Sequence, residues 1–185
     1  KDAGIPIYVS MKNLAASGGY YVAADADKIF ARPETWTGSI GVISQNMDFS
    51  GLMEKYGVKS HTYASGKNKA MGSPYHPPTE EEEAIWMSLI NESYNDFVKL
   101  VAEGREMPEE RVREIADGRI YSGRQALENG LIDEIGNTED ALAALVEDYN
   151  LSSASIFKYS LPTDSLSEIF GPFSSFLKSK SELGD

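Results

Sequence analysis

Hydrophobic and polar positions along this chain change period repeatedly, and each change marks an element. Ile5-Pro6-Ile7-Tyr8-Val9-Ser10-Met11 is a short β-branched apolar run, which reads as a strand, and helical spacing follows from about Leu14 to Ala26. Lys28-Ile29-Phe30-Ala31 reads as a second buried strand closed by Pro33. Ser39-Ile40-Gly41-Val42-Ile43 reads as a third, after the turn-rich stretch 34–38. A helix over 50–56 ends at Gly57, placed as a C-terminal glycine, and 58–64 is expected to form the fourth strand. Strands alternating with helices in this way predict an α/β fold built from βαβ units.

The second half of the chain reads as mainly helical. Residues 65–74 have loop composition, and Pro77-Pro78 closes the loop ahead of Thr79. Thr79 with Glu82 three residues on is a capping box, and the run Glu80-Glu81-Glu82-Glu83 complements the positive end of the helix dipole that follows. Trp86, Ile90, Tyr94, Phe97 and Val101 recur at spacings of three and four, which predicts the buried stripe of the longest helix. Shorter helices are expected over 108–116, 122–129 and 138–149, with a brief strand over 131–135 and an edge strand over 156–159. An apolar tail from Leu166 to Leu177 has helical spacing, interrupted by Gly171-Pro172.

Composition narrows the chemistry. The 185 residues, 41% of them hydrophobic, suffice for one sizeable core. The domain expected is 1–150, followed by a C-terminal strand and tail over 151–185. A net charge of −12, without clustered Lys and Arg, excludes a nucleic-acid partner. The absence of cysteine removes disulfides, thiolate metal sites and thiol nucleophiles, and with only His61 and His76 a histidine-rich metal centre is excluded too. No cofactor is implied. No apolar run is long enough to span a membrane, and Lys1-Asp2-Ala3-Gly4 leads straight into the first strand, so the chain is expected to begin inside a larger protein.

The chemistry-bearing segment is Ala15-Ala16-Ser17-Gly18-Gly19-Tyr20-Tyr21. A serine hydroxyl becomes a nucleophile only beside a base, and it needs N–H donors for the developing oxyanion. Ser17 stands near a helix start, where N–H groups are unpaired, and two glycines beside it let a substrate backbone approach closely; Gly18 N–H is a candidate oxyanion donor. Small residues where a helix packs tightly on a sheet would produce the same pattern. His61 sits in an alternating strand pattern and His76 in a proline-rich loop, and each fits a surface or structural histidine. A lysine serves as base when burial lowers its pKa, and Lys67 and Lys69 stand in the 65–74 loop, where a solvated charge is the plain alternative.

Six stretches in order resemble the signal peptide peptidase A family, in its short bacterial form. They are Val9-Ser10-Met11, the Ala15 to Tyr21 segment, and Ala26-Asp27-Lys28-Ile29-Phe30-Ala31. Then come Thr37-Gly38-Ser39-Ile40-Gly41-Val42, Ser65-Gly66-Lys67-Asn68-Lys69, and Asp117-Gly118-Arg119-Ile120-Tyr121-Ser122 running on to Gly130-Leu131-Ile132-Asp133. The resemblance implies a ClpP/crotonase-like fold of repeated β-β-α units, with a long helix and a C-terminal helical extension. It also implies a Ser/Lys protease that hydrolyses cleaved signal peptides and similar apolar peptides. Ser17 carries over as nucleophile, Lys69 as general base with Lys67 in reserve, and Ser39 as the hydroxyl that orients the lysine.

The same resemblance implies an upstream membrane anchor, a location on the extracytoplasmic face of the membrane, and an upstream glycine-rich loop completing the oxyanion hole. It further implies a ring-like homo-oligomer with substrate-facing clefts, in which the lysine is supplied either by the same subunit as the serine or by its neighbour. Readings that stay open are a related membrane protease with other substrates, a crotonase-like acyl-CoA enzyme in which Ser17 is structural, and a non-catalytic scaffold. The apolar tail would pack on the core or a neighbouring subunit, meet the membrane, or occupy the cleft as a pseudo-substrate.

Overall fold

Two small sheets share the strands between them in chain order, and that alternation organises the computed structural model, which describes residues 3–152 and 155–159. In the first sheet β1 (Tyr8–Met11) runs parallel to β3 (Lys28–Ala31), with Val9 opposite Ile29, and β6 (Glu134–Ile135) extends the sheet beyond β3. In the second, β2 (Leu14–Ala16) runs parallel to β4 (Trp36–Gly38), and β5 (Ile120–Ser122) joins β4 antiparallel. The first two sheet-one strands each lead to a sheet-two strand and then to helix. β1 and β2 precede α1 (Gly18–Tyr21), while β3 and β4 precede α2 (Ser50–Lys55), α3 (Glu80–Gly104) and α4 (Glu109–Ile115). The chain then passes through β5, α5 (Gly123–Glu128), β6 and α6 (Thr138–Asp148). This is the α/β, ClpP/crotonase-like arrangement of repeated β-β-α units with one long helix.

The core lies where these repeats meet. Ile29 and Ala31 of β3 are buried with Tyr20, Ala24, Phe97, Val101, Val112 and Leu131. Tyr20 is fully enclosed; its hydroxyl donates to the Leu131 carbonyl at 2.8 Å, and burial pushes the phenol pKa up. The C-terminal end of α3 approaches the turn after α1 so closely that a Cβ at Gly104 would stand 2.3 Å from the Ala24 carbonyl oxygen. At the other end of α3 the expected capping box is present. Thr79 Oγ1 accepts the Glu82 N–H at 3.2 Å, and Glu82 Oε2 accepts the Thr79 N–H at 3.0 Å.

Five readings from pattern alone change. Residues 14–16 form strand β2 rather than the start of a helix, because β4 supplies a ladder partner from a distant part of the chain. The strand expected over 39–43 lies instead at 36–38, where Gly38 at φ +73° and Ser39 at φ +50° turn the chain out of the sheet. Residues 58–64 and 155–159 have no regular structure. The buried stripe of α3 divides: Phe97 and Val101 are enclosed, whereas Trp86, Ile90 and Tyr94 are half-buried, since α4 and α1 cover only the C-terminal part of the helix.

The chain divides into two units, Lys1–Tyr149 and Asn150–Asp185, and the expected tail over 160–185 lies outside the described residues. Among the described residues no helix is long and apolar enough to cross a membrane.

Candidate active site

The register of β2 against β4 builds the site. Ala15 pairs with Thr37 and Ala16 with Gly38, so the next residues in each strand direction, Ser17 and Ser39, leave the sheet side by side. Ser17 N–H donates to the Gly38 carbonyl at 2.8 Å, and Thr37 Oγ1 donates to the Ala15 carbonyl at 2.7 Å. Ser39 N–H donates to the Arg119 carbonyl at 2.8 Å, which ties the same corner to the residue preceding β5. Gly38 admits no side chain, because its φ is +73° and an added Cβ would stand 2.5 Å from Tyr121 Cδ2.

Both serines hold a backbone shape that a side chain disfavours. Ser17 sits at φ 52°, ψ −120°, between the end of β2 and the first residue of α1, and Ser39 has φ +50°. Such conformations cost on the order of 1–3 kcal/mol each and persist only where the surroundings enforce them. At Ser17 the enforcement is the Gly38 hydrogen bond on one side and the start of α1 on the other. A serine on a sharp, strained strand-to-helix turn presents its Oγ outward, the mechanical purpose of a nucleophile elbow. Ser17 is exposed, and the space over Gly18 is open, with nothing within 4 Å of an added Cβ.

The two serines open into a cleft of about 710 Å³, within the range of ligand-sized cavities. Its apolar walls come from Tyr21, Val42, Ile43, Ile90, Tyr94 and Phe97. Tyr21 and Phe97 meet edge to face with centroids 5.1 Å apart, fixing the wall beside Gly18. Ile90 and Tyr94 of the half-buried part of the α3 stripe are therefore cleft wall, while Trp86 lines a separate cavity with His76 and Glu82. Asp117 brings one carboxylate to the rim, where the Arg119 guanidinium lowers its pKa to about 2 and keeps it ionised. Pattern reading placed Tyr94 in the buried stripe of the long helix and gave neither Tyr94 nor Asp117 a place in the site. The polar Asn91 and Ser93 interleaved with the α3 stripe, both on the cleft, are the signal that one end of that stripe is not core.

The lysines lie elsewhere in the chain. Lys69 is exposed on the 65–78 loop and is not among the residues lining the Ser17 cleft. Lys67 Nζ is engaged by Glu81 Oε2 at 2.6 Å. Within one chain the structure thus brings together Ser17, Gly18 and Ser39, and leaves Lys69 and Lys67 apart from them. His61 is exposed in residues 58–64. His76 is tied to main chain, with Nε2 3.1 Å from the Ala70 carbonyl oxygen and Nδ1 2.9 Å from that of Pro77.

The chain resembles known proteins along most of its length. A protein of Enterococcus faecium that bears the provisional name signal peptide peptidase SppA is 52% identical over 159 residues, covering 86% of this chain and 46% of that protein. The chloroplastic serine protease SPPA of Arabidopsis thaliana is 34% identical over 168 residues, covering 89% of this chain and 25% of that protein. Among solved structures, a ClpP1 mutant from Listeria monocytogenes aligns with a TM-score of 0.43 at 20% identity, over 76% of this chain and 63% of that one. The chain spans about half the length, or less, of the curated relatives it matches. The model of peptidase family S49 matches residues 1–152, and the chain belongs to that family.

Proposed function

We propose that this chain is the catalytic part of a serine endopeptidase in which Ser17 is the nucleophile and Lys69 the general base. The observation that carries the reading is the strained Ser17 elbow opening onto an apolar cleft with Ser39 beside it. Membership of family S49 supplies the reaction class. Lys67 is held by Glu81, which supports assigning the base to its exposed neighbour Lys69.

In the proposed mechanism the neutral Lys69 amine takes the Ser17 proton as Oγ attacks the substrate carbonyl. The Gly18 N–H, at the first turn of α1, stabilises the oxyanion. The lysine ammonium then protonates the leaving amine, and the same amine activates the water that releases the acyl group. Ser39 accepts a hydrogen bond from the lysine and sets its direction toward Ser17.

Lys69 reaches Ser17 from a neighbouring copy in this proposal. A helix rise of about 1.5 Å per residue sets Glu81, where the lysine loop is tethered, about 20 Å from Tyr94 on the wall of the same chain's cleft. Ile43, Met47, Tyr56 and Tyr63 expose large apolar surface along residues 43–63, as a subunit contact would require. The substrates proposed are apolar peptides such as signal-peptide remnants, matching the aromatic and aliphatic walls. The setting proposed is a membrane-anchored, ring-like oligomer with its catalytic part on the extracytoplasmic face.

Complementation between subunits tests this. Full-length Ser17→Ala and Lys69→Ala proteins are each expected to lose peptidase activity at least about a thousandfold, and to regain part of it when co-assembled. Activity in either variant alone contradicts the dyad, and silence in verified mixed oligomers contradicts sharing between subunits.

A further inference from the structure

The loop that carries Lys69 is fastened on both sides of that residue. On the N-terminal side both carboxylate oxygens of Glu81 are used, Oε2 accepting from Lys67 Nζ at 2.6 Å and Oε1 from Asn68 Nδ2 at 3.1 Å. On the C-terminal side the His76 ring faces the Ala70 carbonyl oxygen at 3.1 Å. Between these fastenings the backbone is wound into turns, Lys69 N–H donating to Gly66 O at 3.1 Å and Met71 N–H to Asn68 O at 3.2 Å. The Lys69 side chain itself is left exposed.

The fastenings share a foundation. Glu81 stands in the first turn of α3, whose start is locked by the reciprocal Thr79 and Glu82 bonds and by the burial of Glu82. The same helix, further along, supplies Ile90, Tyr94 and Phe97 to the Ser17 cleft. One rigid element therefore holds the base-bearing loop at one end and a cleft wall at the other. A base must be held near its working geometry, since a displacement of about 1 Å costs rate heavily.

We propose that Glu81 is a positioning residue for the general base: its two-oxygen grip on Lys67 and Asn68 fixes the loop so that Lys69 is presented in one direction, with His76 bracing the far side. This inference rests on the reading of Lys69 as base. It also gives Lys67 a role other than catalysis, as a tether whose charge is used by Glu81.

The ionic state suits the task. Hydrogen bonds from Lys67 and then Asn68 lower the Glu81 pKa, so the grip is complete at neutral and alkaline pH, where a lysine base works. Glu81 and Lys67 are both well exposed, which limits the grip to a modest effect.

The test uses the full-length assembled protein and a fluorogenic apolar peptide, with kcat and KM measured from neutral to alkaline pH. For Glu81→Ala the expected result is a fall in kcat of about three- to tenfold with KM within about twofold, the size of effect that a surface tether supports. Glu81→Gln, which keeps one acceptor oxygen, is expected to fall between Ala and the parent.

Three results overturn the proposal. If Lys69→Ala is inactive while Glu81→Ala keeps the parental kcat, positioning by Glu81 is wrong and the base assignment stands. If Glu81→Ala loses activity only in proportion to its folded fraction, the role is structural. If Lys69→Ala stays active, or if Lys67→Ala alone is inactive, the base assignment itself fails and the positioning claim falls with it.

Discussion

Ser17 and Ser39 occupy backbone conformations that glycine would adopt freely, and the difference is measurable. Ser17→Gly is expected to be at least as stable as the parent, by about 1 kcal/mol at most, while losing activity, since relief of φ strain offsets the added freedom of the unfolded chain. Urea denaturation reads this directly, and a clear destabilisation would show that the Ser17 side chain supports the fold. The Ser17 segment stands out in the sequence as a serine followed by two glycines after a strand, but that pattern alone also fits a tightly packed helix start, and the nucleophile role came from the family resemblance. Ser39 entered through the family resemblance alone, because its place beside Ser17 depends on a register formed across twenty-one intervening residues.

His76 gives a pH dependence with a definite sign. Both ring nitrogens face carbonyl oxygens, which only accept, so both contacts are hydrogen bonds only when the ring is protonated. The Pro77 and then the Ala70 carbonyl raise the His76 pKa, with Glu82 and Asp48 adding to the effect. A raised folded pKa means that the stabilisation is complete below the unfolded value, about 6.5, and fades as pH rises through the folded one. The difference in Tm between the parent and His76→Gln should accordingly be largest in mild acid and shrink above neutrality. A difference that grows with pH would contradict the contacts described.

At the scale of elements, the helices were the readable part and the second sheet was not. The Thr79 to Glu82 capping box and the long apolar stripe specify α3 within a single stretch of chain. β2, β4 and β5 are three residues each and are held by partners far away in sequence, so local pattern carries little of them. The Leu14 to Ala16 stretch fits a helix equally well until Trp36 to Gly38 is laid beside it. The junction of these strands is also the most sensitive to substitution. Gly38→Ala combines a positive φ with a clash on Tyr121, and is expected to destabilise the fold by about 2 kcal/mol or more and to disturb Ser39. Thermal unfolding checks the first part, and a Tm equal to the parent would contradict the packing described around β4.

At the scale of the whole molecule, the alternation of strands between two sheets places Ser17 and Ser39 together, and α3 spans from the lysine loop to the cleft. In the proposed shared site, a neighbouring copy spans the distance between those two ends. The family S49 match over residues 1–152 sets the reaction class, and Ser17 as nucleophile is the claim on which the rest stands. Covalent trapping tests it most directly: the full-length assembled protein is treated with a fluorophosphonate, and the adduct is mapped by mass spectrometry. The account predicts a single adduct on the Ser17 peptide that is lost in Ser17→Ala and strongly reduced in Lys69→Ala. Persistent labelling of Ser17→Ala, or an adduct confined to another residue, would contradict it.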